Sequence, residues 1–153
     1  MKRLAIILVL VITLLLGACG KSQDKLPIEM GRIQFGELTF DVGAEWEYTT
    51  LDENIYFSIT EKQTSGLAVG PTSFNSLEDL INFYSDRKGE RLTINGLPAY
   101  EIIRDDADNE NVVYYSLYVE KSGRVYVYNF TFTKSDGMDE LIAIYNQIKN
   151  SIS

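Results

Sequence analysis

The chain of 153 residues has no histidine and a single cysteine, Cys19. Imidazole is the base or ligand in Ser-His, Cys-His and His-metal chemistry, so those classes are excluded. One cysteine can form neither an intramolecular disulfide nor a zinc cluster. The remaining chemistry is that of oxygen. The loop from Asp105 to Asn111 collects four carboxylates, Asp105, Asp106, Asp108 and Glu110, together with two amides. Crowded hard oxygens suit a cation such as Ca²⁺, which makes the loop a candidate site. It lacks the mid-loop glycine and the distal glutamate of an EF-hand, and an acidic stretch between two strands also reads as a solvated turn. A carboxylate pair for glycoside hydrolysis could be drawn in many ways from 22 acidic residues and says nothing without geometry. A glycine-rich phosphate loop and a Gly-x-Ser-x-Gly elbow are both absent from the sequence. Among aromatic residues, Trp46, Tyr114 and Tyr118 are the candidates for a contact surface. Trp46 reads first as a core or rim residue, because large aromatics usually bury.

The surroundings of Cys19 give it another role. Lys2 and Arg3 precede an apolar run from Leu4 to Leu16 that ends in small residues. A helix needs ~20 apolar residues to cross the hydrocarbon core, and this run is shorter, so the segment reads as a secretory signal peptide. The junction Leu16-Gly17-Ala18-Cys19 resembles the lipobox of bacterial lipoproteins, whose cysteine is diacylated on sulfur and becomes the first residue after cleavage. That resemblance implies a signal peptide over residues 1–18, a lipid anchor (palmitate or a similar acyl chain) on Cys19, and a place on the extracytoplasmic face of the cell membrane. Two acyl chains hold firmly where one does not, at ~0.8 kcal/mol per buried CH₂.

Cleavage there removes Lys2 and Arg3 and no acidic residue, so twelve basic residues face 22 acidic ones, a net charge of −10. Phosphate backbones and anionic headgroups repel such a body, which argues against nucleic-acid binding and against a domain lying flat on lipid. Residues 19–27 are polar and aperiodic, a short tether that keeps the single domain, residues 28–153, near the membrane.

Turn residues then divide the sequence into short strands with two helical inserts. Arg32–Phe35, Glu37–Val42 and Ile55–Thr60 have strand character, with Leu67–Val69 a weaker case. A first helix is expected from Ser76, a capping hydroxyl three residues before Asp79, with Leu77, Leu80, Ile81 and Tyr84 as its apolar stripe and Gly89 as its stop. Arg91–Ile94 and Ala99–Arg104 flank an Asn95-Gly96 turn. Val112–Glu120 and Arg124–Thr133 make a hairpin around Ser122-Gly123. Pairing Lys121 with Arg124 sets Val119 against Tyr126, Leu117 against Tyr128, Tyr115 against Phe130 and Val113 against Phe132, an entirely apolar face. The other face sets Tyr118 against Val127, Ser116 against Asn129 and Tyr114 against Thr131, and is mixed. A last helix starts near Asp136 with Met138, Leu141, Tyr145, Ile148 and Ile152 inward. Strands and helices in this order predict the α+β class, an antiparallel sheet flanked by helices.

The order of features also resembles a family. A strand pair, Trp46 after Phe40-Asp41-Val42-Gly43-Ala44-Glu45, the Ser76-Leu77-Glu78-Asp79-Leu80 helix, the segment Ile94-Asn95-Gly96-Leu97-Pro98-Ala99-Tyr100, a tyrosine-rich hairpin and a closing helix are similar to the Mog/PsbP-like domains. The resemblance covers residues 31–152 and implies an α-β-α sandwich used as an accessory or binding module, with no shared catalytic residues and no cofactor. Two functions follow as expectations. One is a non-enzymatic protein that binds another envelope protein through the mixed hairpin face or the loops near Trp46. The other is a binder of a small ligand or cation. A pocket lined by Trp46, Tyr114 and Tyr118 would favour the second, and a filled core beneath a flat exposed face the first.

Overall fold

A computed structural model describes residues 30–59 and 64–153. The signal peptide, the Leu16-Gly17-Ala18-Cys19 junction and the tether expected at residues 19–27 lie outside the described residues. Within them, no helix is long and apolar enough to cross a membrane.

Among the described residues nine strands form two sheets. β1 (Met30–Phe35) and β2 (Leu38–Gly43) make a separate hairpin. A seven-stranded, wholly antiparallel sheet has the order β3 (Glu47–Leu51), β4 (Asn54–Ser58), β5 (Gly66–Pro71), β9 (Arg124–Thr133), β8 (Val112–Lys121), β7 (Leu97–Asp105) and β6 (Glu90–Ile94). α1 (Leu77–Phe83) lies on one face of it. The β1–β2 hairpin and α2 (Met138–Ser151) lie on the other. The expected α+β class and the antiparallel sheet between helices are what the chain forms.

The β8–β9 register is the expected one at every pair from Val113↔Phe132 to Lys121↔Arg124. Its apolar face is the centre of the main core: Leu117, Val119, Tyr128, Phe130 and Phe132 are completely buried. The reason is local. Ser122 and Gly123 both adopt positive φ, 52° and 73°, the conformation a two-residue hairpin turn needs, and the alternation of side chains then assigns each residue to a face. Asn95 and Gly96 do the same between β6 and β7, at 49° and 86°. Phe40 from the β1–β2 hairpin sets its ring edge-on to Tyr128 at 5.0 Å, and Leu141, Ile144, Tyr145 and Ile148 of α2 close the remaining area.

Beyond shifts of one to three residues at strand ends, three features differ from the sequence expectation. α1 ends at Phe83, well before Gly89, because the backbone tightens at Tyr84: the Arg87 N–H donates to the Tyr84 carbonyl at 2.8 Å and the Arg87 guanidinium covers the Tyr84 ring. Gly89 serves a close approach instead, since a Cβ there would lie 2.4 Å from the Tyr100 ring. α2 starts after a short 3₁₀ turn, Lys134–Asp136, and takes Gly137 as its N-cap with φ of 92°. Asp136 is not the cap, since its carboxylate accepts from the Ser65 hydroxyl at 2.8 Å. The third difference is β3, an additional strand in which all five residues are exposed.

Candidate functional site

The register defines the α1 face row by row. One row crosses the sheet as Glu47–Ser58–Gly66–Thr131–Tyr114–Arg104, and the next as Thr49–Tyr56–Ala68–Asn129–Ser116–Ile102. A third, Gly70–Val127–Tyr118–Tyr100–Arg91, lies nearest the Ser122-Gly123 turn. A helix of seven residues is ~10 Å long and cannot roof a sheet of this width.

Where α1 sits is fixed by polar contacts. The Ser76 hydroxyl accepts from the Asp79 N–H at 3.2 Å and donates to the Asp79 carboxylate at 2.8 Å, the expected cap. Glu120 on β8 accepts from the Leu77 N–H at 2.8 Å, and Arg91 on β6 pairs with Glu78 at 2.8 Å. Both anchors belong to the turn end of β8 and the edge strand β6. α1 therefore covers the third row, the β7 end of the second and the turn end of β9, where Leu77 and Leu80 bury with Tyr100, Ile102, Tyr118 and Val125. Among the described residues no helix covers the first two rows on β3, β4, β5 and β9, which are bare in that sense: they are exposed on β3 and β4 and half-buried on β5 and β9, and Ser116 on β8 is buried.

This placement separates the aromatic candidates. Tyr118 is beneath α1, 8% exposed, with burial pushing its phenol up to about 12. Trp46 is in the main core on the opposite side of the sheet, 8% exposed and in contact with Gly43, where a Cβ would meet the indole at 2.3 Å. Neither presents a free surface. Tyr114 is half-buried at the border of the bare region. Its hydroxyl donates to Asp106 at 2.8 Å, which raises the phenol above its ordinary range, and the Arg104 guanidinium covers its ring at 4.4 Å. The three residues do not line one pocket.

The acidic loop is organised by its own backbone. One Asp106 oxygen accepts from the Asp108 and Asn109 N–H groups, both at 2.9 Å, and the other from Tyr114. These bonds, the Tyr114 one foremost, hold the Asp106 carboxyl below the usual carboxylate range. Asp105 pairs with Lys134 at 2.7 Å, while Asp108 and Glu110 are exposed. Among the described residues no group of three or more acidic or thiol side chains is arranged to hold a metal ion.

The bare rows combine neutral hydrogen-bonding groups with aromatic area. Ser116 donates to the Asn129 side-chain oxygen at 2.8 Å, an amide that is no general base. β5 contributes only Gly66, Ala68 and Gly70 to this face, so the sheet is low along that strand between Tyr56, 40% exposed, and Thr131. The Asn54 amide fills the low line at one end, since a Cβ on Gly70 would lie 1.8 Å from it. Charge appears only at the rims, Glu47 on one side and Arg104 on the other, in a chain whose net charge is −8. Such a surface can hold a flat partner by hydrogen bonds and stacking, and it contains no nucleophile paired with a base.

No family model matches the sequence, and no curated protein matches it either. Solved structures do. The solution structure of cyanobacterial PsbP (CyanoP) from Synechocystis sp. PCC 6803 superposes with a TM-score of 0.64 at 12% identity, over 88% of this chain and 96% of that one. The fold is PsbP-like. A Pseudomonas aeruginosa protein of unknown function, described as a putative regulator, superposes with a TM-score of 0.50 at 11% identity, covering 79% of this chain and 94% of its own. At these identities the likeness is one of fold.

A second polar cluster, not expected from the sequence reading, lies on the α2 side of the PsbP-like sheet. Glu101 points inward from β7, accepts from the Tyr145 hydroxyl, and pairs with Lys149 at 3.1 Å. Burial first, and then this bond, raise the Tyr145 phenol far above its ordinary range. The cluster fastens α2 to β7 at the margin of the core, where Lys149 borders a shallow cleft with Leu92, Thr93, Ile94, Asn95 and Asn150. A charged residue between Ala99 and Ile103 on an inward strand face, with Tyr145 and Lys149 four apart on a helix, is the pattern that marks it.

Proposed function

We propose that this chain is a lipid-anchored, extracytoplasmic accessory protein that acts by contact with another protein of the envelope, without catalysis of its own. The observation that carries the reading is the half-covered sheet: a filled core on one side, and on the other, among the described residues, two rows that no helix covers, neutral between their rims and exposed on β3 and β4 in an otherwise acidic molecule. Depletion of charge around an exposed aromatic, here Tyr56, is the composition of a protein–protein contact. The likeness in fold to cyanobacterial PsbP and to a protein described as a putative regulator is consistent with an accessory role. The lipobox resemblance at Leu16-Gly17-Ala18-Cys19 supports anchoring, and confinement to a membrane raises the effective concentration of any neighbour, so a modest patch suffices.

Two measurements test it. Fatty-acid labelling should mark the wild-type chain and not Cys19→Ser, and equal label on both would remove the anchor. Crosslinking in intact cells should join the chain to one envelope protein, and Thr131→Asp, which puts a charge in the bare rows, should abolish the link without unfolding the domain. Turnover of a defined substrate by the purified protein, lost on changing a single carboxylate, would end the reading.

A further inference from the structure

We infer that the outer edge of β3 is a strand-pairing site for an extended, lysine- or arginine-bearing segment of the partner protein. This rests on the contact reading above and specifies where the contact is made and with what chemistry.

β3 borders the bare rows, contributing Glu47 and Thr49 to them, and among the described residues it pairs with β4 alone. All five of its residues are exposed, with Tyr48 and Leu51 both at 61%. Leu51 faces Asn54 across the two-residue turn Asp52-Glu53, a geometry that makes them a hydrogen-bonded pair. Bonding alternates along an antiparallel ladder, so Thr49 and Glu47 also bond to β4, while Tyr48 and Thr50 turn their N–H and C=O groups outward. Natural sheet edges are blunted by lysine, proline, a bulge or a covering element. Glu47-Tyr48-Thr49-Thr50-Leu51 has neither lysine nor proline, and tyrosine and threonine favour the extended backbone. The opposite edge differs: β6 is tied to α1 by Arg91 and Glu78, and Asn95 at its end donates to the Asn150 and Ile152 carbonyls of the α2 terminus at 2.9 and 2.8 Å.

Charge selects the occupant. Glu45, Glu47, Asp52 and Glu53 lie on or beside the edge, and no basic residue occurs between Gly43 and Glu61. A second copy is disfavoured: antiparallel pairing centred on Thr49 sets Glu45 opposite Glu53, and parallel pairing in register sets Glu47 against Glu47. A basic strand meets these carboxylates favourably while its backbone takes up the outward groups, the mode known as strand addition.

The test uses the full chain in detergent micelles with a short synthetic peptide alternating valine and lysine, and a second alternating valine and glutamate. At physiological salt the lysine peptide should bind saturably and protect the Tyr48 and Thr50 amides from exchange, and the glutamate peptide should not bind. Thr50→Pro removes one outward donor and leaves the β3–β4 ladder intact, and should weaken binding about tenfold or more. Thr50→Lys, which keeps the strand backbone, should weaken it as well. Unchanged binding in both variants would overturn the inference, as would a β3-dependent dimer in sedimentation. In cells, a photo-crosslinker at Thr50 should capture the envelope protein captured from Thr131. Capture from Thr131 alone overturns the edge site and leaves the contact reading standing, whereas capture from neither overturns both.

Discussion

Tyr128 and Tyr145 are both fully buried in the main core, and removing the same atom from each should move stability in opposite directions. The Tyr128 hydroxyl is buried with no hydrogen-bond partner among the described residues. A buried polar group without a partner costs about 1–3 kcal/mol of desolvation, so Tyr128→Phe, which keeps the ring that packs on Phe40, should stabilise the fold by about 1 kcal/mol. The Tyr145 hydroxyl donates to Glu101, a carboxylate whose side chain is only 11% exposed. Hydrogen bonds to charged groups contribute about 1.5–3 kcal/mol, and Tyr145→Phe leaves Glu101 with Lys149 as its sole remaining partner among these bonds. The loss should be about 2 kcal/mol. At roughly 2–4 °C per kcal/mol for a domain of this size, Tyr128→Phe raises the melting temperature by a few degrees and Tyr145→Phe lowers it by about 4–8 °C. Thermal and urea unfolding of the two variants beside the wild type measure both changes. A decrease of similar size in both would refute the reasoning, because it would mean that the Tyr128 hydroxyl is satisfied or that ring packing alone decides.

Further outcomes follow from the same structure. Phe130→Ala should cost roughly 3–5 kcal/mol in urea unfolding, while Thr131→Ala, its neighbour on the bare face, should cost under about 1 kcal/mol. The folded chain holds the Tyr118 phenol up to about 12 and the Tyr128 and Tyr145 phenols higher still, against about 10 when unfolded. The unfolded chain therefore releases these protons first. The stability they contribute is complete below about pH 10 and is lost as the pH rises toward 12 and beyond, which tyrosinate absorbance and circular dichroism recorded together should show as one transition. Melting curves with and without millimolar Ca²⁺ should superimpose, since Asp105 and Asp106 already bond within the loop, and a Ca²⁺-dependent rise lost in Asp106→Asn would restore the cation reading.

What the sequence disclosed depended on where burial leaves a pattern. The β8–β9 register was legible because each of its faces has a different composition and Ser122-Gly123 sets the turn, so a slip of one residue would bury Asn129 and Thr131. β3 was illegible because an edge strand exposed on both faces needs no apolar alternation, and Glu47-Tyr48-Thr49-Thr50-Leu51 shows none. The start of α2 near Asp136 follows from a cap-type residue three before Asp139, whereas Ser65, a residue of a distant segment, draws the Asp136 carboxylate away and a positive-φ glycine takes over the cap. The mixed hairpin face was read as a possible surface. Only α1's short length and its attachment to Glu120 and Arg91 decide that Tyr118 is covered while Tyr114, Asn129 and Thr131 lie beyond the helix, half-buried. Trp46 followed the general tendency of large aromatics to bury.

The account stands on the claim that the bare half of the sheet is where another protein touches this one. Photo-crosslinkers placed one at a time at Thr131 on that face and at Asp139 on the exposed side of α2, in living cells, test it most directly. The account predicts one envelope protein crosslinked from Thr131 and not from Asp139, with the link lost when Tyr56 is changed to glutamate in a chain that still folds. Equal capture from both positions, or no capture from Thr131 under conditions where the chain is in the membrane fraction, would contradict it.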